Sequence, residues 1–290
     1  MRYLFGSLCL ILGACNAPLK PAAVSIPLND QPQRIVSLDY CADQYVLKLA
    51  DPERIAAISP DAVKAFSYMR DAAKAHKTVR ASAEDILLLK PDLIVRAYGG
   101  GPNAAALFES AGIPVLNVGW AGDLNGISQV TRDMAIGLGV PQRGEELVTE
   151  METRLAAVKA KTTARKDARS QALYMTPTGV TAGPGSLVDE ILDVAGIDNF
   201  ETKSGWHSLP LERLIFEQPD MVAAAFFDDE NSHKGAWSAM RHPIARAQME
   251  GLTDVQLKGA WMTCSGWFLM DAIEELAEGA TTDAQIAEPL

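Results

Sequence analysis

Tyr40, Tyr98, Trp120 and Trp206 each stand where an apolar run meets a loop. Flat aromatic faces at such places suit stacking on a large planar or apolar ligand. Tyr68 and Trp261 are further candidates for ligand contact, and Trp267 suits a core position. Any one of them could instead be a packing residue. The four histidines, His76, His207, His233 and His242, show no H-x-x-H or H-E-x-x-H spacing. The chain therefore lacks the signature of a bare Zn²⁺ or Mn²⁺ receptor. Tyr40, Tyr68 or His207 could ligate a haem iron, and Arg96 could pair with an anionic ligand group. Gly183-Pro184-Gly185-Ser186 lacks the G-K-[ST] ending of a nucleotide loop. Ser186 with Asp189 reads as a helix N-cap, whose amides could also meet a ligand carboxylate or phosphate. No G-x-S-x-G elbow or zinc-hydrolase motif occurs. Carboxylates are numerous enough that a paired-acid glycosidase stays open.

Cysteine chemistry points to export. Arg2 and the short apolar run Tyr3 to Leu12 suit a secretory signal. Leu12-Gly13-Ala14-Cys15 then resembles a bacterial lipoprotein box, in which the Cys15 thiol takes the lipid and becomes the first mature residue. The alternative is an ordinary signal cleaved near Ala17. Lipid chains would hold the mature protein to a membrane surface. Cys9 leaves with the signal, so Cys41 and Cys264 remain. An even pair in an oxidising compartment suggests a disulfide, the alternative being two buried thiols.

Composition narrows the class. The 290 residues carry a net charge of −11, which disfavours a nucleic-acid partner. No interior stretch reaches the ~18 apolar residues of a membrane span. The length allows two lobes of roughly 100–150 residues.

The elements that must position the aromatics alternate. Arg34-Ile-Val-Ser-Leu38, Ile55 to Ile58, Leu93 to Val95 and Pro114 to Val118 read as strands, with helices Asp43 to Leu49 and Ala104 to Ser110 between them. Such alternation implies a parallel sheet with covered faces. In the second half, strands Ala172 to Met175 and Met221 to Ala225 accompany helices Leu187 to Ala195 and Phe268 to Leu276. Segments Asp123 to Leu138 and Gly144 to Lys161 read as interlobe helices. In the latter, Leu147, Met151, Leu155 and Val158 fall at helical spacing. The basic run Lys159, Lys161, Arg165, Lys166, Arg169 reads as a solvated face at its C-terminal end.

One unit occurs twice. Ser82 to Val95 matches Pro210 to Ala223 in type over fourteen positions at an offset of 128 (210 − 82). Each copy has an acid, Glu84 or Glu212, then an apolar face, Ile86 and Leu89 or Leu214 and Phe216. Pro91-Asp92 or Pro219-Asp220 then stops the helix and an apolar strand follows.

These pieces carry a family resemblance. In order they are Arg34 to Leu38 with Asp43-Gln44, Ala50-Asp-Pro-Glu-Arg-Ile55, Leu89-Lys-Pro-Asp-Leu93, Ala111-Gly-Ile-Pro-Val115, Thr181-Ala-Gly-Pro-Gly-Ser186 and Ala195-Gly-Ile-Asp-Asn-Phe200, before Trp206 and the second repeat. From Arg34 to about Leu276 the chain resembles the periplasmic binding proteins of bacterial ABC importers for cobalamin, ferric siderophores and haem. The resemblance implies an α/β fold of two Rossmann-like lobes joined by a long backbone helix, with ligand between them. The expected divisions are a signal at 1–14, a tether at 15–32, lobes at 33–122 and 169–280, a helical segment at 123–168 and a tail at 281–290. It also implies a monomeric, non-enzymatic lipoprotein in the periplasm, with no resident cofactor. Its cargo would be a corrinoid or ferric siderophore, with haem ranked below them, delivered to a permease dimer with its ATPase. Trp206 falls where cobalamin-binding relatives have a ligand-stacking Trp. Glu84 and Glu212 match the acids, one per lobe, that meet permease arginines. Two other classes remain: an exported hydrolase on the same scaffold, and a lipoprotein chelate sensor without transport.

Overall fold

The computed structural model describes residues 31–163, 169–226, 242–243, 247 and 252–287. The expected signal, the lipid site Cys15 and the tether through Asp30 lie outside these residues. Gln31 and Pro32, assigned to the tether, are held by the fold. Gln31 Nε2 donates to the Gly139 carbonyl at 2.7 Å, and the buried Arg54 guanidinium donates to the carbonyls of Pro32 and Leu138.

The first lobe contains β1 (Ile35–Ser37), α1 (Tyr40–Leu49), β2 (Ile55–Ala57), α2 (Arg70–Ala73), α3 (Ala83–Leu87), β3 (Leu93–Arg96), α4 (Ala104–Ser110) and β4 (Val115–Asn117). Its strands form a parallel sheet in the order β2-β1-β3-β4. β1 and β3 are buried throughout, which is why they read as unbroken apolar runs rather than alternating ones. Helices α5 (Leu124–Gly137) and α6 (Pro141–Thr163) follow. Gly139 makes the turn between them at φ +74°, a conformation glycine adopts without a Cβ clash. α6 begins at Pro141, earlier than the apolar spacing indicates, because proline is well placed in a first helical turn. Its 23 residues span roughly 34 Å.

The second lobe contains β5 (Gln171–Met175), β6 (Val180–Ala182), α7 (Leu187–Val194), β7 (Asp198–Asn199), β8 (Trp206–Ser208), α8 (Leu211–Leu214), β9 (Met221–Ala225), β10 (Thr253–Leu257), a short helix Gly259–Met262 and a C-terminal helix Leu269–Ala287. Its parallel sheet runs β10-β9-β5-β7, with β6 and β8 as a separate antiparallel pair. The C-terminal helix continues to Ala287, into the stretch expected to be a tail. Arg169 is not a free solvated charge: it bridges Asp193 and Asp198 at 2.9 and 2.8 Å.

The repeated unit has a structural reason. The Asp92 carboxylate accepts the Gln33 and Arg34 amides at 2.7 and 2.8 Å, and Asp220 accepts the Gln171 amide at 2.7 Å. Each Pro-Asp thus clamps the start of the neighbouring parallel strand, setting Ile35 against Leu93 and Ala172 against Met221. Ile86 and Leu214 are the buried counterparts. Phe216, expected on the apolar face, is instead exposed, and its counterpart is the equally exposed Leu88.

A continuous apolar core runs from α1 through α5 and α6 into the second lobe. The chain beyond Met262 then returns to the first lobe. Cys264 is bonded to Cys41 with their Cα atoms 5.3 Å apart, and Thr263 Oγ1 donates to the Phe66 carbonyl at 3.2 Å. Tyr68 stacks on Phe268 with ring centroids 4.7 Å apart and donates its hydroxyl to Asp271 at 3.0 Å. Asp271 and Glu274 together hold Arg154 of α6.

Candidate functional site

The strands of each sheet are parallel, so the residues following them share one edge. On the first lobe these are Tyr40 after β1, Tyr98 after β3 and Trp120 after β4; on the second, Thr176 after β5 and Phe226 after β9. This is the edge where open α/β sheets bind ligands. A cavity of about 420 Å³ lies between the lobes, with Trp120 on one wall and Trp206, Tyr174 and Phe226 on the other. Met262 and Ser265, either side of the disulfide-bonded Cys264, complete it. None of the described residues lining it carries a charged side chain. Trp120 is 89% exposed and Trp206 58%, so two large indoles meet solvent at the mouth. Tyr174 is buried beneath them, its ring centroid 6.0 Å from that of Trp206. Burial pushes its hydroxyl pKa up, keeping it neutral.

Local chemistry explains how these groups are held. Trp206 is paired with Ala182 in the β6–β8 ribbon. Gly183 lets the next loop approach closely, since a Cβ there would overlap the Lys203 carbonyl. Ser186 caps α7 by accepting the Asp189 amide at 3.1 Å, and Ser186 itself lines the cavity.

Tyr40 and Tyr98 stand together, with centroids 6.1 Å apart, and Phe66 packs 4.8 Å from Tyr40. They do not line the 420 Å³ cavity but occupy the same sheet edge. Asp39 organises the pair. One oxygen of this buried carboxylate caps α1 through the Ala42 amide at 3.0 Å. The other accepts the amides of Ala97, Tyr98 and Gly99 at 2.8, 3.0 and 2.8 Å. Burial, and next the Asp39 charge, raise the Tyr40 pKa. Burial, and next Tyr40, raise that of Tyr98. Both therefore present neutral hydroxyls.

Three aromatic or imidazole candidates lie elsewhere. Tyr68 is engaged with Phe268 and Asp271 away from the cavity. Burial, and next the Asp271 charge, push its pKa up to about 12. Trp261 packs on the core with the Lys258 ammonium 4.7 Å above its ring. His207 follows Trp206 on the opposite strand face, 3.3 Å from the buried Glu201 carboxylate. Arg96 is engaged too, donating to the carbonyls of Gly99 and Gly101 at 2.8 and 2.9 Å rather than facing a ligand anion. Among the described residues no cluster of three or more His, Cys, Asp or Glu is placed to hold a metal ion. Glu84 and Glu212 are exposed in the first turns of α3 and α8, outside the cavity. Sequence reasoning passed over Asp39, Phe66 and Tyr174. Asp39 carried a usable signal, an Asp just before a helix; Tyr174 reads only as a core residue of a strand.

Comparison with known proteins places this geometry. A family model described as "Periplasmic binding protein" matches residues 35–235. A cobalamin-binding protein of Halobacterium salinarum is 25% identical over 224 residues, covering 74% of this chain and 61% of that relative's length. The periplasmic heme-binding protein RhuT from Roseiflexus sp. RS-1, in apo form, superposes with a TM-score of 0.67 at 24% identity, over 87% of this chain and 99% of that one. The periplasmic vitamin B12-binding protein BtuF of Vibrio cholerae superposes with a TM-score of 0.63 at 18% identity, over 88% and 99%. At these identities the two structures establish the two-lobe fold alone.

Proposed function

We propose, on the premise that this chain belongs to the periplasmic binding protein family, that it captures a metal chelate outside the cytoplasm and delivers it to an ABC importer. The observation that carries this reading is the aromatic cavity between the lobes, walled by Trp120 on one side and Trp206 and Tyr174 on the other. A flat macrocycle offers two faces, and two lobes carrying aromatic walls can cover both. The absence of charge among the described lining residues favours a corrinoid over an anionic ferric siderophore. A carboxylate- or catecholate-rich chelate in an apolar cleft needs charged partners. Haem ranks lower because Tyr68 and His207, two of its candidate iron ligands, are engaged elsewhere. Trp206, Trp120, Tyr40 and Tyr98 are the proposed contact residues.

The mature protein is proposed to be tethered to a membrane through lipidated Cys15. Glu84 and Glu212 are proposed to dock on a two-fold permease dimer with its ATPase. Their equivalent places in the two repeats match what a symmetric partner requires. Uptake separates transport from sensing and from hydrolysis. Cells lacking the gene should lose high-affinity uptake of radiolabelled cobalamin, and the wild-type gene should restore it. The Glu84→Ala, Glu212→Ala double variant should restore cobalamin binding in the envelope but not uptake. Undiminished uptake in the deletion strain would overturn the importer role.

A further inference from the structure

The repeat preserves more than its glutamates. From Ser82 to Val95 and Pro210 to Ala223, burial agrees at every position except one, where Leu89 is half-buried and Glu217 exposed. The preserved pattern includes two positions that folding does not explain. Leu88 is 80% exposed and its counterpart Phe216 84% exposed; each follows a second exposed apolar residue, Leu87 or Ile215. None of these four lines the interlobe cavity. Single exposed apolar residues are ordinary on any surface. Two large ones at matching places on separate lobes, each beside a partner apolar residue and an acid, are a pattern.

The local geometry joins acid and apolar group. Leu88 follows Glu84 by four residues, and Phe216 follows Glu212 by four. The Leu88 amide donates to the Glu84 carbonyl at 3.3 Å, closing an α-helical turn, whereas the Phe216 amide donates to that of Arg213 at 3.0 Å, a tighter turn just past the end of α8. Residues four apart on the α-helical turn, Glu84 and Leu88, lie on one face; in the tighter turn Glu212 and Phe216 are separated by roughly a third of a turn. Each lobe exposes a carboxylate and, four residues on, a large apolar side chain. The Pro-Asp clamp, four residues further on in each copy, ties the end of the segment to the sheet.

We propose that Leu88 and Phe216 are the apolar anchors of a two-point docking surface for a two-fold symmetric permease dimer, each seating in a socket that lies beside a basic side chain. The inference rests on the delivery role above and extends it from charge to packing. The partner's basic chemistry follows from charge complementarity with Glu84 and Glu212. Its two-fold symmetry follows from the repetition of the whole acid-and-apolar pattern. The division of labour is physical. Exposed charges steer encounter and make it salt-dependent, whereas apolar anchors at the centre of a contact govern how long it lasts. Because the sockets are symmetry copies, the one that takes Phe216 must also accept leucine.

The test uses the full-length protein in its source cells. A photo-crosslinking amino acid replaces Leu88 or, separately, Phe216, with the exposed Leu107 and Ile136 as control positions. The expected result is one and the same polypeptide, identified by mass spectrometry as an ABC permease subunit, captured from both sites and from neither control. Capture of different polypeptides, or of none, overturns the proposal. The captured permease with its ATPase, in lipid nanodiscs, then serves for kinetics. Leu88→Asn with Phe216→Asn should raise the dissociation rate by at least about tenfold while association and its salt dependence stay unchanged. Phe216→Leu should change dissociation little. Glu84→Ala with Glu212→Ala should slow association and flatten its salt dependence. An unchanged dissociation rate in the Asn pair, with the Glu pair impaired, removes the anchors and leaves the delivery role standing. If neither pair has an effect, both ideas fall. Cobalamin titration of the same variants verifies that their clefts are intact.

Discussion

Replacing Asp39 by alanine should both loosen the first lobe and weaken ligand binding, although Asp39 points at backbone rather than at the cavity. Its two oxygens accept four amides, from Ala42, Ala97, Tyr98 and Gly99. Losing the α1 cap costs about 1 kcal/mol. The half-exposed Ala97 and exposed Tyr98 amides can turn to water, but Gly99 is buried and its amide would stay unpaired. One such group costs roughly 1–3 kcal/mol. The sum is about 3 kcal/mol, which at an m-value of ~3 kcal/mol/M moves the urea midpoint down by ~1 M. With Tyr98 released from beside Tyr40, ligand affinity should fall about tenfold, the equivalent of one lost aromatic contact. Asp39→Asn keeps an acceptor oxygen and should lose less on both counts. Urea unfolding followed by far-UV circular dichroism, with cobalamin titration of the folded variants, measures the two effects. An alanine variant with the wild-type midpoint and affinity would refute the argument that Asp39 positions the tyrosine pair.

Trp206→Ala should reduce affinity for the bound chelate by about 5- to 150-fold, the range of a lost stacking contact, as read by isothermal calorimetry. Cys41→Ser with Cys264→Ser opens a loop of 223 residues. Loop-closure entropy sets the loss at about 5 kcal/mol or less, so the melting temperature should fall by roughly 10 °C in scanning calorimetry. Asp43 supplies a pH dependence. Burial pushes its carboxyl up to about 7 from 3.8 in spite of hydrogen bonds from Ser59. The native chain therefore holds a proton there that the unfolded chain releases. The resulting stability is complete below pH ~4 and is lost as pH rises through ~7, a change of about 4 kcal/mol. Asp43→Asn should abolish that part of the pH dependence, and parallel stability profiles for variant and wild type would contradict it.

Much of this architecture can be read from residue patterns, for identifiable reasons. Leu147, Met151 and Val158 keep one face of α6 buried, and so a long helix is visible in their spacing. The repeat is visible because Asp92 and Asp220 do the same job, clamping an adjacent strand. The β6–β8 ribbon is three residues a side, too short for any period to emerge. Aromatic type alone does not say which way a ring points. Tyr68 reads as a cleft candidate and Tyr174 as a strand core residue, yet the first is buttressed against the C-terminal helix and the second floors the cavity. Phe216 misled for a related reason: the helix ends at Leu214, so an apolar residue two positions on looks like its buried face but lies in the exposed turn after it.

The central claim is that the cavity between the lobes holds a metal chelate with an uncharged face. Trp120 and Trp206 form its mouth, so intrinsic tryptophan fluorescence reports occupancy directly. The purified protein should be titrated with cyanocobalamin, haem and a panel of ferric siderophores, wild type beside Trp206→Ala. The account predicts saturable quenching by cyanocobalamin at one equivalent, weakened in the variant, with the siderophores binding less tightly. Failure of every chelate to bind, or equal binding by wild type and Trp206→Ala, would contradict it.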